Sequence, residues 1–547
     1  MRSGRFSFRP HRMDRGRRSG LVIWVVALAG ALFLSIAWIS SSPIGSSPDE
    51  PDHIAYAWGT ATGQTLPWNA AEQVGARDKV YTVITLPNSL NQYPPPACYV
   101  DDGLYDTSCT VARPTAGTTT TISMMAKYPL AYYAVIGGVL RLGLGLGLNG
   151  FSTLFLASLT SAMLSFGALL VSAALLGRRF NRVAAAGAVA ATAIPLSQFL
   201  FATINPNGWE ISGLMLLASL VICVRHDLAE YGRASFHLQI SLVLLTFVVG
   251  WTRPLSVAWA GLLLLVLLLP VHGARRPALF RLAPATIAVL VTIGVFLLAW
   301  MRYQATGTQT ETSVGDPAEW EAMPFGTKVF LLVTHFGDMV ISAFGTLGWL
   351  DTRLPSLTYI LWWGAAGALI AGFLAARPGG HRQPSIGPAL FMVLGSGLVI
   401  AVEGYLTAFA WQGRYWSPAL AAATVLLVPA MSAGRLPERT QRSLGMILAG
   451  VMTLVLTVAF TYNINRYRYG FHETFVRFKN LPYAWRDAVW TPVIGMPATI
   501  ISIVLGIGLL IVAACVFVRT GPSMKALLPA GSDRPEQIAA DTPAPSA

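Results

Sequence analysis

The chain has 547 residues, of which 54% are hydrophobic and only 12% are charged, and its formal net charge is +13. Because soluble domains carry about 25% charged residues, this composition excludes a single water-soluble domain. The apolar residues form long uncharged runs, such as residues 21–40 and 152–176. At about 1.5 Å per helical residue, each run can cross a hydrocarbon core of about 30 Å. The sequence therefore predicts a polytopic membrane protein.

We predict an all-α fold with about twelve transmembrane helices. In chain order they are residues 21–40, 152–176, 183–204, 208–224, 236–251, 255–271, 282–301, 356–376, 385–402, 417–434, 443–462 and 493–518. Two further apolar stretches, 128–148 and 327–350, contain ionisable residues: Arg141 in the first, His335 and Asp338 in the second. Since an ionisable group facing lipid is costly, we predict that both stretches are interfacial or re-entrant helices.

The basic residues predict the orientation of the chain. Residues 1–20 hold seven arginines and one acid, so we expect this tail to be cytoplasmic rather than a cleaved signal. The transmembrane domain is then 21–518, with residues 41–150 forming a first extracytoplasmic loop that contains juxtamembrane helices. Residues 519–547 are predicted to be a disordered cytoplasmic tail. The other basic loops fall on the cytoplasmic side: 177–182, 272–281, 377–382 and 434–442.

The first extracytoplasmic loop has the opposite charge. Residues 41–126 carry eight acids and three bases, so the positive net charge is mostly an orientation signal and predicts no nucleic-acid partner. Cys98 and Cys109 lie in this loop, and its oxidising surroundings predict a disulfide between them.

An acidic cluster follows the first predicted span: Asp49, Glu50, Asp52 and His53. The stretch from Ser47 to Glu50 also has the pattern of a helix capping box, which would explain Ser47 and one acid. It would not explain three carboxylates and a histidine within five residues. Because crowded carboxylates raise one another's pKa, the cluster suits a general base or a cation site.

Two arginines interrupt the outer face of the predicted bundle, against the positive-inside trend. Arg253 lies in a short turn, and Arg414 lies beside Gln412 and Tyr415. The planar arginine fork binds phosphate through two hydrogen bonds, so either residue could hold a lipid-linked phosphate. The alternative is that each side chain only reaches to the lipid headgroups.

Two further polar segments are predicted on this face. The turn at Asn205 and Asn207 is followed by Glu210, which could cap a helix N-terminus or belong to a site. Trp349 precedes Asp351, which could form a loop salt bridge with Arg353. The sequence contains no P-loop, Rossmann glycine pattern, HExxH or zinc-ligand spacing, so it gives no support to ATP-driven transport.

The motifs together resemble the GT-C superfamily of membrane glycosyltransferases, and more closely the bacterial family catalogued as domain of unknown function 2142. They are PDEPDH (48–53), YPLAYY (128–133), GRRF (177–180), NPNG (205–208), LGWLDTRLP (347–355) and QGRYWSP (412–418). The resemblance covers residues of about 20 to 465. This chain has Pro206-Asn207 where the family often has Pro-Asp, and Glu210 could replace that missing carboxylate.

The resemblance implies a GT-C-like fold and an inverting glycosyltransferase of the cytoplasmic membrane. It would move a sugar from a polyprenyl-phosphate donor to a cell-envelope glycan or lipid on the outer face. Asp49 would be the base, with Glu50 as a competitor, and Asp52 and His53 would orient the base or the acceptor. No nucleotide is required, and a divalent cation is left open. The remaining roles are donor phosphate binding by Arg414 and Arg253, and substrate binding by Asn205, Asn207, Glu210, Trp349, Asp351, Gln412 and Tyr415.

Two other classes of function stay open at this point. A transporter or flippase of a lipid-linked glycan should place charges within its spans, along a central cavity. The predicted spans are almost free of charge, which favours an enzyme working at the membrane surface. The other alternative is a non-catalytic protein of envelope assembly. The residues identify neither the donor sugar nor the acceptor.

Overall fold

The molecule is a bundle of helices, seen in a computed structural model. The model describes residues 13–65, 82–92, 95–100, 105–110, 115–125, 128–270, 277–305, 317–376, 386–407, 411–433, 436–477, 488 and 490–520. Within these ranges nine helices are long and apolar enough to cross a membrane, and a helix pair bent by 69° could make a tenth span. The predicted all-α polytopic fold is confirmed, while the count of twelve spans stays a prediction.

Helices account for most of the described residues. They are α1 (Met13–Ile39), α2 (Glu50–Ala61), α3 (Ala97–Val100), α4 (Ala131–Gly145), α5 (Gly150–Gly177), α6 (Arg182–Thr192), α7 (Pro195–Phe201), α8 (Pro206–Glu230), α9 (Phe236–Gly250), α10 (Pro254–Leu265), α11 (Pro284–Ala305), α12 (Pro317–Ala322), α13 (Phe325–Gly345), α14 (Ser356–Ala375), α15 (Gly387–Thr407), α16 (Gly413–Leu426), α17 (Val428–Ala433), α18 (Glu438–Arg477) and α19 (Met496–Thr520). Helix α1 begins at Met13, inside the predicted basic tail. Residues 1–12 and 521–547 of the two predicted tails lie outside the described residues.

Two short antiparallel strand pairs accompany the helices. Strand β1 (Thr82–Pro87) pairs with β2 (Thr118–Ser123), so that Thr82 lies opposite Ser123. Strand β3 (Thr346–Leu347) pairs with β4 (Thr352–Arg353). The first pair packs with α2 and α4 into a separate small core, which Leu154, Ala157 and Ile204 complete from outside the predicted extracytoplasmic loop.

Close antiparallel packing joins the first and last helices. Gly30 of α1 lies against Leu510 of α19, and Gly506 of α19 lies against Leu34. A Cβ atom at Gly506 would stand 2.6 Å from the backbone nitrogen of Leu34. Small residues allow this close approach of helix backbones in membranes. The C-terminus of α1 and the N-terminus of α19 therefore lie at one end of the bundle, called here the Asp49 end.

Helix α13 has its contacts at the Asp49 end, although its length alone would allow it to cross a membrane. Near its N-terminus, the Lys328 Nζ atom lies 5.5 Å from the centre of the Tyr405 ring, close to where α15 ends. Near its C-terminus, Ser342 Oγ accepts a hydrogen bond of 3.0 Å from the N–H of Gly413, where α16 begins. Because α15 and α16 are consecutive and meet at this end, the contacts favour the predicted interfacial position of α13.

Helix α4 belongs to the other stretch predicted to be interfacial. It has only 15 residues and packs between α2 and α5. Its buried face includes Tyr133 and Ile136, whereas Val135 and Leu142 are exposed. A 15-residue helix of about 22 Å is short for a span, so the structure favours an interfacial α4 as well.

Candidate active site

The acidic cluster lies at the start of α2, in a register that differs from the predicted capping box. The residue before the helix is Asp49, with φ 61° and ψ 5°, and the proline in its first turn is Pro51. Within the described part of the chain, the Ser47 hydroxyl has no hydrogen-bond partner. The predicted capping box is therefore only half formed: the Ser47 hydroxyl caps nothing among the described residues, whereas the Ser47 N–H donates to Glu50 Oε2 at 3.3 Å. A left-handed conformation is costly for most residues but is tolerated by aspartate.

Glu50 anchors this turn to the rest of the bundle. Its Oε2 accepts hydrogen bonds from the N–H groups of Gly45 at 3.0 Å and Ser47 at 3.3 Å. Its Oε1 accepts one from the N–H of Ile204 at 2.9 Å, just before α8. Burial raises the pKa of Glu50 to about 7, and the three N–H donors only partly oppose that rise. With both oxygens committed to the backbone, Glu50 is placed as an anchor rather than as a base.

Asp52 and His53 attach the same helix to the neighbouring elements. Asp52 Oδ1 accepts a hydrogen bond of 2.8 Å from the N–H of Met124, and burial raises its pKa to about 7. His53 Nδ1 lies 2.9 Å from the Tyr133 hydroxyl oxygen, and burial lowers the pKa of His53 to about 3. His53 is thus uncharged near neutral pH. Both contacts fix the orientation of α2, which carries Asp49 at its start.

Asp49 is the carboxylate of the cluster that remains accessible. Its side chain is 25% exposed, whereas Glu50 is buried. Its Oδ2 accepts a hydrogen bond of 2.8 Å from Arg414 Nη2. Burial alone would raise the pKa of Asp49, but the charge and hydrogen bond of Arg414 hold it below its ordinary value. An ionised carboxylate is therefore available to a ligand at this end of the bundle.

Two arginines flank one tyrosine beside Asp49. The guanidinium carbons of Arg414 and Arg253 lie 4.9 Å and 5.0 Å from the centre of the Tyr415 ring. Each arginine has its own carboxylate, because Arg253 Nη1 lies 3.1 Å from Glu210 Oε2. These five residues are called here the paired-arginine cluster. The two carboxylates offset the mutual repulsion of two buried cations.

The buried arginines retain donors that are not used. Among the described residues, the Nε groups of Arg253 and Arg414 are buried without a hydrogen-bond partner. A buried N–H without a partner costs about 1 to 3 kcal/mol. Such an unsatisfied group in a folded protein often marks a place where a ligand or water binds. The cluster therefore contains two cationic N–H donors without a partner among the described residues.

The NPNG turn holds the Asp49 turn from the side of α8. Asn205 Nδ2 donates a hydrogen bond of 3.0 Å to the carbonyl oxygen of Pro48. Its Oδ1 accepts a bond of 3.0 Å from the N–H of Asn207, which caps α8. The side-chain oxygens of Asn207 and Gln412 are buried and find no partner in the ranges that the structure describes. Asn205 is thus a positioning residue. The side-chain oxygens of Asn207 and Gln412 could still accept a hydrogen bond from a ligand.

Asp351 and Trp349 lie in a second group of residues. Asp351 Oδ2 lies 2.7 Å from Arg466 Nη2, and Arg353 instead contacts Asp338 at 3.4 Å. The predicted salt bridge between Asp351 and Arg353 was therefore wrong. Trp349 packs near Tyr467, whose hydroxyl donates to the carbonyl oxygen of Ser46 at 3.3 Å. This group is called here the Arg466 cluster.

The Arg466 cluster is joined to the predicted disulfide, which the structure contains between Cys98 and Cys109. Arg466 donates hydrogen bonds to the carbonyl oxygens of Cys98 at 2.7 Å and Tyr105 at 3.2 Å. These bonds tie the disulfide segment to α18 and, through Asp351, to the β3–β4 turn. The arrangement stabilises the Asp49 end of the bundle.

The sequence analysis missed several residues of these clusters. Tyr128 interacts electrostatically with Arg253, and Ser256 Oγ donates to Glu210 Oε1 at 2.8 Å. Tyr128 belongs to the YPLAYY motif, which could have identified it as a site residue. No sequence pattern marks Ser256. Arg466 could have been found as an arginine in a predicted outer segment, the same signal that identified Arg253. In the described ranges no group of three or more His, Cys, Asp or Glu is placed to hold a metal ion.

Comparison with known proteins identifies the family of this chain. The model of the family "Predicted membrane protein (DUF2142)" matches residues 32–423, which confirms the resemblance seen in the motifs. No curated protein matches the chain.

Two solved structures, both GT-C glycosyltransferases, are similar over much of the chain. ArnT from Cupriavidus metallidurans, bound to undecaprenyl phosphate, is 16% identical with a TM-score of 0.41, covering 93% of this chain and 78% of ArnT. The Archaeoglobus fulgidus oligosaccharyltransferase is 12% identical with a TM-score of 0.34, covering 82% of this chain and 56% of its own. Likenesses at these scores do not indicate which reaction this chain carries out.

Proposed function

The chain belongs to the DUF2142 family of membrane proteins, and on that premise we propose that it is an inverting glycosyltransferase. It moves a sugar from a polyprenyl-phosphate donor to a glycan or lipid of the cell envelope. One observation carries the proposal: the accessible, ionised Asp49 is paired with Arg414, directly beside Arg253. A base and a phosphate-binding group are what this transfer requires.

Asp49 acts as the general base in this proposal. The acceptor hydroxyl oxygen forms a bond to the anomeric carbon while the bond from that carbon to the phosphate oxygen breaks. The phosphate leaves with the electron pair, and Asp49 takes the proton of the attacking hydroxyl. Because attack comes from the face opposite the phosphate, through an oxocarbenium-like state, the product has the inverted configuration.

The two arginines neutralise the departing polyprenyl phosphate. Their Nε groups, which have no partner among the residues described, supply hydrogen-bond donors to it. Arg414 holds Asp49 in the structure, so a phosphate that binds Arg414 weakens this ion pair and frees the carboxylate. Arg253 stays fixed by Glu210. Donor binding would thus prepare the base for the acceptor.

A transfer assay tests the proposal. The purified protein in proteoliposomes is given lipid-linked sugars extracted from its host with the gene deleted, together with the lipids of the same membranes. We expect release of polyprenyl phosphate and a glycosylated product whose anomeric configuration is inverted. Dependence on a nucleotide sugar would contradict the proposal. Movement of the intact lipid-linked sugar across the bilayer, without release of polyprenyl phosphate, would instead identify a flippase.

The orientation is part of the proposal: the termini are cytoplasmic and the Asp49 end is extracytoplasmic, in the cytoplasmic membrane. Cysteine labelling tests it in a Cys515→Ala background, because Cys515 is exposed. An impermeant maleimide should label Thr118→Cys in intact cells, and Arg178→Cys only after lysis. Both positions are exposed in the structure. Labelling of Arg178→Cys in intact cells would overturn the orientation.

A further inference from the structure

The disulfide between Cys98 and Cys109 has one buried and one exposed cysteine. Cys98 is only 3% exposed and packs with Tyr99 and Tyr467 in a small apolar cluster. Cys109 ends a short helical turn, Thr107–Cys109, and is exposed. Thiol–disulfide exchange begins when a thiolate reaches a disulfide sulfur, and exposed disulfides are the more labile ones. A thiol in solution can therefore approach this disulfide from the side of Cys109.

The disulfide segment is attached to the end of α18 that carries Arg466 and Tyr467. Arg466 donates hydrogen bonds to the carbonyl oxygens of Cys98 and Tyr105, which both belong to the loop that the disulfide closes. The Tyr99 ring meets the Tyr467 ring edge to face, with the ring centres 5.8 Å apart. Reduction would remove the covalent closure of this loop and leave hydrogen bonds and side-chain packing to hold it on α18.

The same end of α18 holds the segment that leads to Asp49. Tyr467 is 1% exposed, and its hydroxyl donates a hydrogen bond of 3.3 Å to the carbonyl oxygen of Ser46. One helical turn earlier, Asn463 Nδ2 donates a hydrogen bond of 2.8 Å to Ser41 Oγ. Asp49 has a positive φ, a conformation that persists only where the surrounding structure holds it. Tyr467 thus links the disulfide segment to the turn that presents the proposed base.

We propose that the Cys98–Cys109 disulfide is a site of thiol–disulfide exchange that regulates the transfer. In the disulfide form, the closed loop packs Tyr467 in place, and Tyr467 holds the Asp49 turn. In the dithiol form, the loop loosens, Tyr467 loses its packing against Tyr99, and the turn holds Asp49 less firmly in the conformation that accepts a proton. The effect on transfer rests on the proposed function, whereas the exchange and the loosening of the turn do not.

The partner in this exchange is a dithiol, as in an oxidoreductase with two reactive cysteines. Its first thiolate attacks the sulfur of Cys109 and forms a mixed disulfide, while Cys98 leaves as a thiolate and takes up a proton. The second thiolate of the partner then attacks the partner's own sulfur in the mixed disulfide and releases Cys109, which is also protonated. Two electrons and two protons pass to this chain, which ends as two thiols, and the partner ends as a disulfide.

Hydrogen exchange tests the structural part of the proposal without any substrate. The protein in lipid nanodiscs is treated with dithiothreitol, itself a dithiol, under native conditions, and mass spectrometry follows alkylation of the cysteines. We expect Cys98 and Cys109 to become alkylated, while the buried Cys223 does not. Deuterium uptake in the peptides that cover residues 41–50 should then rise, and uptake in α5 should stay unchanged. A disulfide that resists reduction until the protein unfolds, or unchanged uptake in residues 41–50, would overturn the proposal.

The rate of transfer tests the regulatory part, with polyprenyl phosphate released in proteoliposomes as the readout. Reduction should lower kcat by about twofold to tenfold, as expected for one neutral hydrogen bond, and leave the KM for the donor unchanged, because the paired-arginine cluster stays intact. Tyr467→Phe removes the bond to Ser46, so its kcat should be low already and change little on reduction. Cys515→Ala removes an exposed thiol outside the disulfide and is the control. It should respond to reduction as the wild type does.

The two experiments separate failure of this inference from failure of the proposed function. A kcat that is the same in the disulfide and dithiol forms, or a full response to reduction in Tyr467→Phe, would overturn the regulatory link while leaving the transfer itself in place. If uptake in residues 41–50 rises on reduction but no form of the protein transfers a sugar, the proposed function fails and the exchange site stands.

Discussion

Two clusters at the Asp49 end pair arginine with aspartate, and they differ in whether the Nε group of the arginine is hydrogen-bonded. Arg466 bonds through Nε to Asp351, through Nη1 to the Tyr105 carbonyl, and through Nη2 to the Cys98 carbonyl. In the paired-arginine cluster, Arg253 and Arg414 both keep an Nε group that has no partner in the described ranges.

We propose that the difference separates an arginine that holds the protein together from arginines that can hold a ligand. The single N–H of Arg466 Nε is already bonded to Asp351, so it is not free to donate to a phosphate oxygen. A buried N–H group without a partner has already lost its hydrogen bond to water. A new hydrogen bond to a phosphate oxygen therefore lowers the free energy. Residue type and location alone do not distinguish the two clusters. The state of the Nε group does, among the residues described.

The largest expected effect is on the rate of transfer. Asp49→Asn removes the proposed base, and we expect the rate to fall by about 10² to 10⁴, the usual contribution of a general base. The rate is measured as polyprenyl phosphate released in proteoliposomes. The control is Asp351→Asn, which makes the same substitution at the aspartate that contacts Arg466. It should keep most of the transfer rate per folded molecule. Comparable losses in both variants would remove the distinction between the clusters.

The next effect concerns donor binding. Arg414→Gln removes a charged hydrogen bond to the phosphate worth about 1.5 to 3 kcal/mol, so affinity for polyprenyl phosphate should fall by roughly 10-fold to 150-fold. Native mass spectrometry of the protein with added polyprenyl phosphate measures it. Arg466→Gln should lower the unfolding temperature and leave this affinity unchanged. A weaker affinity in Arg466→Gln alone would reverse the assignment of the two clusters.

A smaller effect separates Asp49 from its neighbour. Glu50→Gln places an amide where a carboxylate oxygen accepts backbone N–H groups, and we expect a loss of about 1 to 3 kcal/mol in the free energy of unfolding. Chemical unfolding in detergent measures the loss. Glu438→Gln is the control, because its ion pair with Arg442 is exposed and worth about 0 to 1 kcal/mol. A stable Glu50→Gln that has lost transfer would make Glu50 the better candidate for the base.

The last effect is a slope, the change of stability with pH. The pKa of Asp52 is raised to about 7 in the fold, so between about pH 4 and 7 the folded state binds a proton that the unfolded state releases. Its contribution to stability is therefore lost as the pH rises through this window. Asp52→Asn cannot titrate and keeps the acceptor for Met124, so its stability should fall less with pH, by up to about 1.4 kcal/mol per pH unit. Unfolding measured at pH 5, 6, 7 and 8 gives the slope; an unchanged slope would contradict the prediction.

The sequence predicted the features that depend on how apolar and charged residues are distributed along the chain. Uncharged runs indicated the membrane helices, and Arg253 and Arg414 stood out because they break the positive-inside trend. The partner of Asp351 could not be predicted, because Arg466 is 115 residues away and only the folded bundle brings them together. Local sequence suggested Arg353 instead. Pairings of this kind depend on tertiary packing.

Sequence alone also could not separate Asp49 from Glu50. The two carboxylates are adjacent, yet they enter different surroundings because the backbone turns sharply at Asp49, where φ is 61°. Glu50 is then surrounded by backbone N–H groups, while Asp49 faces Arg414 and remains partly exposed. Their different roles follow from this one conformation, which the capping-box pattern did not indicate.

The central claim is that the paired-arginine cluster, and not the Arg466 cluster, binds the donor phosphate. The most direct measurement is a cryo-electron microscopy structure of the protein with polyprenyl phosphate. We expect the phosphate within hydrogen-bonding distance of Arg253 and Arg414, with Asp49 released from Arg414. A phosphate bound at Arg466, or one bound elsewhere while the pair of Asp49 and Arg414 stays intact, would contradict it.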